Sequence, residues 1–448
     1  MTYDQLRHQY PEFIYKNFSS QVTGNRLEIA YHFSAPPDHD FTHRLTFTFP
    51  DTAIIPENSQ ITDLIFHLGL SLIPSYWKLT CSPAIKIAAG SLSPSQTGFW
   101  HKLLIKGMGE YYYKNRIDFT VSDFLTLNSS SPDKLSSSVV AADQPPLRPD
   151  RVIIPVGGGK DSIVTLELLK SHFELTPFVI NPSPITDEVI KISRLPDPIT
   201  VKSTFDPLLF DLNRQGYLNG HTPVSAFYAF SAVLAAAVSS GKFVAFSNER
   251  SSNEGNTIYL NQEINHQYSK TLEFESDLQT YLRDLNPDLN CFSFLRPLYE
   301  IQITKIFSRY PEYFPVFSSC NQNFKLHRPL SNPSPALKTN SKWCGHCPKC
   351  VSTALMLACF IGKDEVVKIM SVYPPDLPEN RTLLDDLLGK NPVKPFECVL
   401  SRPEAVAAYA SVNGSLSPQL KEILSAWQDD PNLPENFASV LSRSLKSA

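Results

Sequence analysis

The chain has no long apolar run. The longest, AFYAFSAVLAAAVSSG from Ala226, is shorter than a membrane span and rich in small residues, so a buried helix is expected there and no membrane association. Charge of one sign is also lacking. Forty Lys and Arg stand against 44 Asp and Glu, and a net charge of −4 gives no electrostatic case for nucleic acid or an anionic lipid surface. The first residues, MTYDQLRHQYPEF, are too charged for an export signal, so a cytoplasmic location is expected. In that reducing setting the eight cysteines read as thiols or metal ligands, not disulfides. Glycine is scarce at 17 in 448, yet three are adjacent at 157–159. The 42% apolar content over this length suffices for two or three packed domains.

No internal repeat is present, and composition marks one linker, 128–149, rich in Ser, Pro and Asp. Before it, RLEIAYHF and RLTFTFP alternate like strands, whereas ITDLIFHLGLSLIPSYW and FWHKLLIKGMGEYYYKN read as helices. Residues 1–127 are therefore expected to form an α+β domain. After the linker, strands RVIIPVG, TPFVINP, ITVKSTF, KFVAFSN and YFPVFSSC alternate with helices, among them one from Val224 to Ser239 and a long one at 266–284. Such alternation predicts an α/β fold with a parallel sheet covered on both faces, over 150–362. Residues 363–448 read as a mostly helical tail.

Between RVIIP and DSIVTLELLK lies Gly157-Gly158-Gly159-Lys160-Asp161-Ser162. Asp161 after Lys160 breaks the Walker A pattern, and no carboxylate ends the second strand as a dinucleotide fold would need. The run resembles the S-G-G-x-D-S loop of PP-loop ATP pyrophosphatases, with Gly157 in place of the first serine. That resemblance implies a HUP-like sheet and release of pyrophosphate from ATP. Physically it is coherent: glycines let backbone N–H groups approach phosphate, a helix N-terminus faces the anion, and Lys160 adds a cation. Asp161 would repel phosphate unless it holds Mg²⁺. The plain alternative is a turn in which Asp161 is an ordinary N-cap.

KWCGHCPKC supplies Cys344, Cys347 and Cys350, and FSSC adds Cys320. Four thiolates suit a closed structural Zn²⁺ site, with His346 as a substitute ligand; a [4Fe–4S] cluster and a metal-free group of thiols remain open. Glycine loop and cysteines together resemble the cyano-deazaguanine synthase type, a shorter zinc-bearing PP-loop enzyme.

A wider set of segments is more specific. KGMGEYYYKN, PVGGGKDS, FSNERSSNEGN, NHQYSKTLEFE, SCNQNF, WCGHCPKC and KPFECV occur in this order. Together they resemble the ATP-dependent UDP-N-acetylmuramoyl-L-alanyl-L-glutamate epimerase family of peptidoglycan precursor synthesis. The resemblance implies inversion of the terminal L-glutamate of a UDP-muramoyl dipeptide, with ATP going to AMP and pyrophosphate. It further implies functional pairing with the ligase that adds L-glutamate. Adenylation would remove the carboxylate charge and make the α-proton easier to abstract. Asn248, Glu249, Arg250 and Glu254 follow a strand whose C-terminal end should face ligand: the carboxylates for Mg²⁺ or protons, Asn248 and Arg250 for the nucleotide, unless the loop is merely solvated. His266, Tyr268 and Lys270, at the expected start of the long helix, are acid–base candidates or exposed surface. Cys398 is either a racemase-like base or a buried inert thiol. Glu110 and Lys114 read equally as an i, i+4 ion pair or a substrate contact, and Tyr111–Tyr113 as core. A nucleobase-modifying PP-loop enzyme and an inactive nucleotide- and zinc-binding scaffold are the competing functions.

Overall fold

The structure, a computed structural model, describes residues 1–50, 54–129, 147–324, 342–412 and 416–446. Most of the linker expected at 128–149 lies outside them. The strands are β1 (Glu12–Thr23), β2 (Arg26–Ala35), β3 (His39–Thr48), β4 (Ala84–Ile87), β5 (Thr126–Ser129), β6 (Arg148–Pro155), β7 (Glu174–Ile180), β8 (Ile199–Thr204), β9 (Gly241–Phe246), β10 (Thr257–Tyr259), β11 (Gln262–Ile264) and β12 (Asn290–Ser293).

Ten strands form one sheet in the order β12-β9-β6-β7-β8-β3-β2-β1-β4-β5, and β10 with β11 makes a small hairpin. The half from β12 to β8 is all parallel, with helices in the crossovers. β3 pairs antiparallel with β8, so the N-terminal strands continue the same sheet. The fold is α/β with a mostly parallel sheet.

The apolar run in β6 is explained by burial on both faces. Ile153 joins Val244 in one core beneath the helix Val224–Val238. Val152 and Ile154 join Ile163, Phe243 and Ala245 in another, beneath the helix Lys160–Leu169. The period-2 alternation of a strand thus feeds two cores. The tail closes the second one: Phe437, on the helix Glu435–Lys446, stacks on Phe173 at 4.2 Å and abuts Phe292.

Three local expectations are corrected. Tyr313–Cys320 is not a strand: a 3-10 turn at Pro311–Tyr313 leads into irregular chain, and β12 holds the edge of the sheet instead. Pro315 has no N–H for a ladder, and Phe317 and Cys320 are buried among side chains. The long helix begins at Leu272, not 266, because Thr271 caps it by accepting from the Phe274 N–H. The two N-terminal helical runs each divide, into Ser59–Leu70 with Ile73–Trp77, and Pro94–Gly107 with Gly109–Asn115.

Candidate active site

The glycine loop joins the C-terminal end of β6 to the helix Lys160–Leu169. Gly158 has φ +82°, and a Cβ there would lie 2.6 Å from Ile185 Cγ2, so only glycine fits. Gly159 is the N-cap, not Asp161, and no side chain caps the helix. A Cβ on Gly159 would meet Ser319 Oγ at 2.9 Å. At Gly157 nothing lies within 4 Å of the Cβ position, so space does not account for the missing serine. Ser162 Oγ donates to Gly159 O at 3.0 Å. Lys160 is buried, its Nζ held between Asp161 Oδ1 at 2.6 Å and Glu300 Oε1 at 2.9 Å. Burial pushes Glu300 up to about 7 against the pull of Lys160, and its Oε2 is buried without a partner.

The β9 loop sits beside it. Asn248 donates to Ser293 Oγ at 2.9 Å, and the Arg250 guanidinium lies 4.2 Å above the Tyr299 ring. Glu254 accepts from Lys394 Nζ at 2.6 Å, tying this loop to the segment KPFECV. Glu249 is buried, and desolvation raises its carboxyl. Buried Arg296 fixes the loop: it donates to Glu249 O and Ser252 Oγ, to Lys270 O, and to Glu275.

Asn256 then brings two distant segments together. Its side chain accepts from the His266 N–H at 2.8 Å and donates to Pro395 O at 2.7 Å. The result is a row of alternating charge. Lys114 and His266 hold the two oxygens of Glu110, and the Lys114 pair has the predicted i, i+4 spacing. Lys270 Nζ donates to Cys398 Sγ at 3.1 Å, and the charge of His266 also acts on that sulfur. Beyond Lys270 come Glu249 and Asp161, both felt by its ammonium. Burial alone would lower His266, but Cys398 and Glu110 outweigh it and hold the imidazolium up to about 9. Burial would raise Cys398, but Lys270, Lys349 and His266 hold the thiol well below its ordinary range. Burial would also raise Glu110, yet the hydrogen bond from His266 helps hold it down to about 2. Tyr268 lies in the core with Tyr111 and Tyr112, outside this row.

Cys320, Cys344, Cys347 and Cys350 are buried with all four sulfurs within 4.8 Å of one another. Sulfur separations of 3.5, 3.8 and 4.0 Å suit a tetrahedral ion with metal–sulfur bonds of about 2.3 Å. Backbone N–H groups of His346 and Cys347 donate to Cys344 Sγ, as a thiolate requires. His346 stands outside the group, 3.9 Å from Glu379.

The structure therefore brings Asp161, Glu249, His266 and Cys398 into one region and commits Glu254 to Lys394. Glu300 escaped sequence reading, since nothing near YEIQITKIF marks it. Glu110 and Lys270 were visible only as ambiguous charges.

Fold and charged row together define an α/β protein with a buried row of paired charges beside a glycine loop. The chain belongs to the MurL family: the MurL N-terminal domain matches residues 4–294 and the MurL C-terminal domain residues 316–438. It is 31% identical over its whole length to a UDP-N-acetyl-alpha-D-muramoyl-L-alanyl-L-glutamate epimerase of Salinispora tropica, covering 93% of that protein. Enzymes of the same name in Micromonospora sp. and Xanthomonas oryzae pv. oryzae are 32% and 33% identical over 91% and 75% of this chain, covering 88% and 71% of theirs. No solved structure matches the chain significantly. No helix among the described residues is long and apolar enough to cross a membrane.

Proposed function

We propose that this chain inverts the terminal L-glutamate of UDP-N-acetylmuramoyl-L-alanyl-L-glutamate after ATP-dependent adenylation of its α-carboxylate. The relatives' names support the substrate and the inversion. Support for adenylation comes from one observation: hydrogen bonds tie the glycine loop to the β9 loop, from Asp161 through Lys160 and Glu300 to Ser251, and tie that loop at Glu249 O through Arg296 to Lys270, whose Nζ donates to Cys398. Carboxylate activation and α-carbon chemistry would then lie side by side. Backbone N–H groups of the glycine loop and the helix start take the phosphates. Asp161 and Glu300, with its unpartnered Oε2, fit a hard cation, and Mg²⁺ held there would offset phosphate charge. Glu249 and His266 are the proposed acid–base pair. Glu254 positions the Cys398 segment through Lys394. The cysteine cluster holds Zn²⁺ as a structural ion.

The test uses the UDP-dipeptide in D₂O with and without Mg-ATP. Deuterium should enter the glutamate α-position only with Mg-ATP, alongside pyrophosphate, and Asp161→Asn should lose both by on the order of a hundredfold or more. Rapid exchange without ATP would overturn the adenylation step.

A further inference from the structure

Four cysteines lie outside the metal-type cluster, and three are ordinary thiols, Cys81 and Cys291 buried and Cys359 half-buried. Burial pushes Cys81 up to about 11, Cys359 up to about 12 and Cys291 well above its usual range. Cys398 is different. It is half-buried, accepts from Lys270 Nζ at 3.1 Å, and is favoured as an anion by His266, whose Nδ1 is held by the Glu110 carboxylate. A thiol bonded to an ammonium, with a carboxylate-held imidazole whose charge reaches it, has the parts of an activated nucleophile. Partial exposure in an electropositive setting is what a reactive thiol needs.

On the adenylation reading above, on which this inference rests, an activated glutamyl carbonyl is generated beside this sulfur. We propose that Cys398 captures that carbonyl as a thioester, and that the thioester, not the adenylate, is the species inverted at the α-carbon. A thiolate stabilised by three cations is a weak base for a carbon acid. Its nucleophilicity falls less steeply with acidity, with a slope of about 0.4–0.5, so attack on carbon is the role it keeps. Thioester formation also shields the activated acid from early hydrolysis while leaving the α-proton acidic.

The steps balance. The Cys398 C–S bond forms, the bond from the acyl carbon to the AMP oxygen breaks, and AMP leaves with that electron pair. Glu249 takes the α-proton, and the His266 imidazolium returns one to the opposite face. Water then adds to the carbonyl while giving a proton to His266, the C–S bond breaks, and sulfur departs as thiolate. Glu249 and the freed carboxylic acid each release a proton to solvent. Glu110 and Lys270 are positioning residues, holding the imidazolium and the thiolate.

The test is acid quenching of the full-length enzyme during turnover of UDP-dipeptide labelled in its glutamate, with Mg-ATP. A labelled adduct should appear on the peptide containing Cys398 and be released by hydroxylamine. Cys398→Ala and the near-isosteric Cys398→Ser should still release pyrophosphate in a first turnover. The alanine variant should lose α-deuterium exchange by on the order of a thousandfold. Full turnover with no protein-bound label at any quench time, or exchange persisting in Cys398→Ala, overturns the thioester. Wild-type enzyme that epimerises without releasing pyrophosphate would instead bring down the adenylation reading, and the thioester with it.

Discussion

Cys398 and Cys359 are both half-buried, yet their thiols are driven in opposite directions. Cys359 meets only backbone carbonyls, Leu355 O and Ala408 O, which cannot stabilise a negative sulfur. Cys398 meets cations. This contrast has a direct readout in alkylation by iodoacetamide, followed residue by residue by mass spectrometry. Because the folded-state value of Cys398 is depressed, its thiolate persists as pH falls, and labelling should stay nearly flat from pH 9 to pH 6. An ordinary thiol would lose rate by about tenfold per pH unit below its pKa, and that slope at Cys398 would remove the ion pair from the argument. His266 runs the other way: raised to about 9, its imidazolium is lost as pH rises through that value, so turnover should decline there. KPFECV and NHQYSK marked both residues as candidates in the sequence. Their charge states were not legible, because the partners are remote: Lys270 lies 128 positions from Cys398, and Glu110 lies 156 from His266.

Between the glycine loop and the cysteine cluster runs Ser318-Ser319-Cys320, and it touches both. The Ser318 N–H donates to Gly158 O at 3.1 Å, Ser319 Oγ closes over Gly159, and Cys320 enters the sulfur group. A metal at the cluster would thus brace the glycine loop. Both motifs were readable as separate features, since each is contiguous and chemically distinctive. Their union was not, because the segment between them looked like a strand and is held by packing instead. Loss of the ion should therefore do two things at once. Cys347→Ala, or zinc removal by a chelator, should destabilise the fold by on the order of several kcal/mol, seen as a lower Tm. It should also weaken ATP binding at temperatures where the protein is still folded, measurable by calorimetry. Elemental analysis giving no zinc, or giving iron with labile sulfide, would reject the ion; unchanged ATP affinity in folded, metal-free protein would reject the brace.

At the scale of the whole chain the decisive feature is the β3–β8 pairing, which makes one sheet of strands from both sides of the expected linker. Alternating β and α segments announced the parallel half, and the alternating residues of RLEIAYHF and RLTFTFP announced β2 and β3. Which strand edge receives which is a non-local choice, and no local pattern encodes it. The candidate site crosses the same junction, since Glu110 comes from the helix Gly109–Asn115 while its partner His266 follows β11. So does the core. Phe47, Ile65 and Trp100 share one cluster with Val201, Phe230 and Leu278, and Tyr281 OH accepts from Trp100 Nε1 at 2.7 Å while contacting His67 at 2.6 Å. Residues 147–448 expressed alone would leave β8 as an open edge and strip one face of the helix Val224–Val238. That fragment should be insoluble or molten, lacking a cooperative melt. A chain cut within 130–146, with both pieces made together, keeps every one of these contacts. The pieces should co-purify and melt in one transition. They should also restore ATP-dependent exchange at the α-carbon, because Glu110 again reaches His266. A soluble, cooperatively folding 147–448 fragment would show that the shared sheet is dispensable. One that also turned over substrate would show that Glu110 is too.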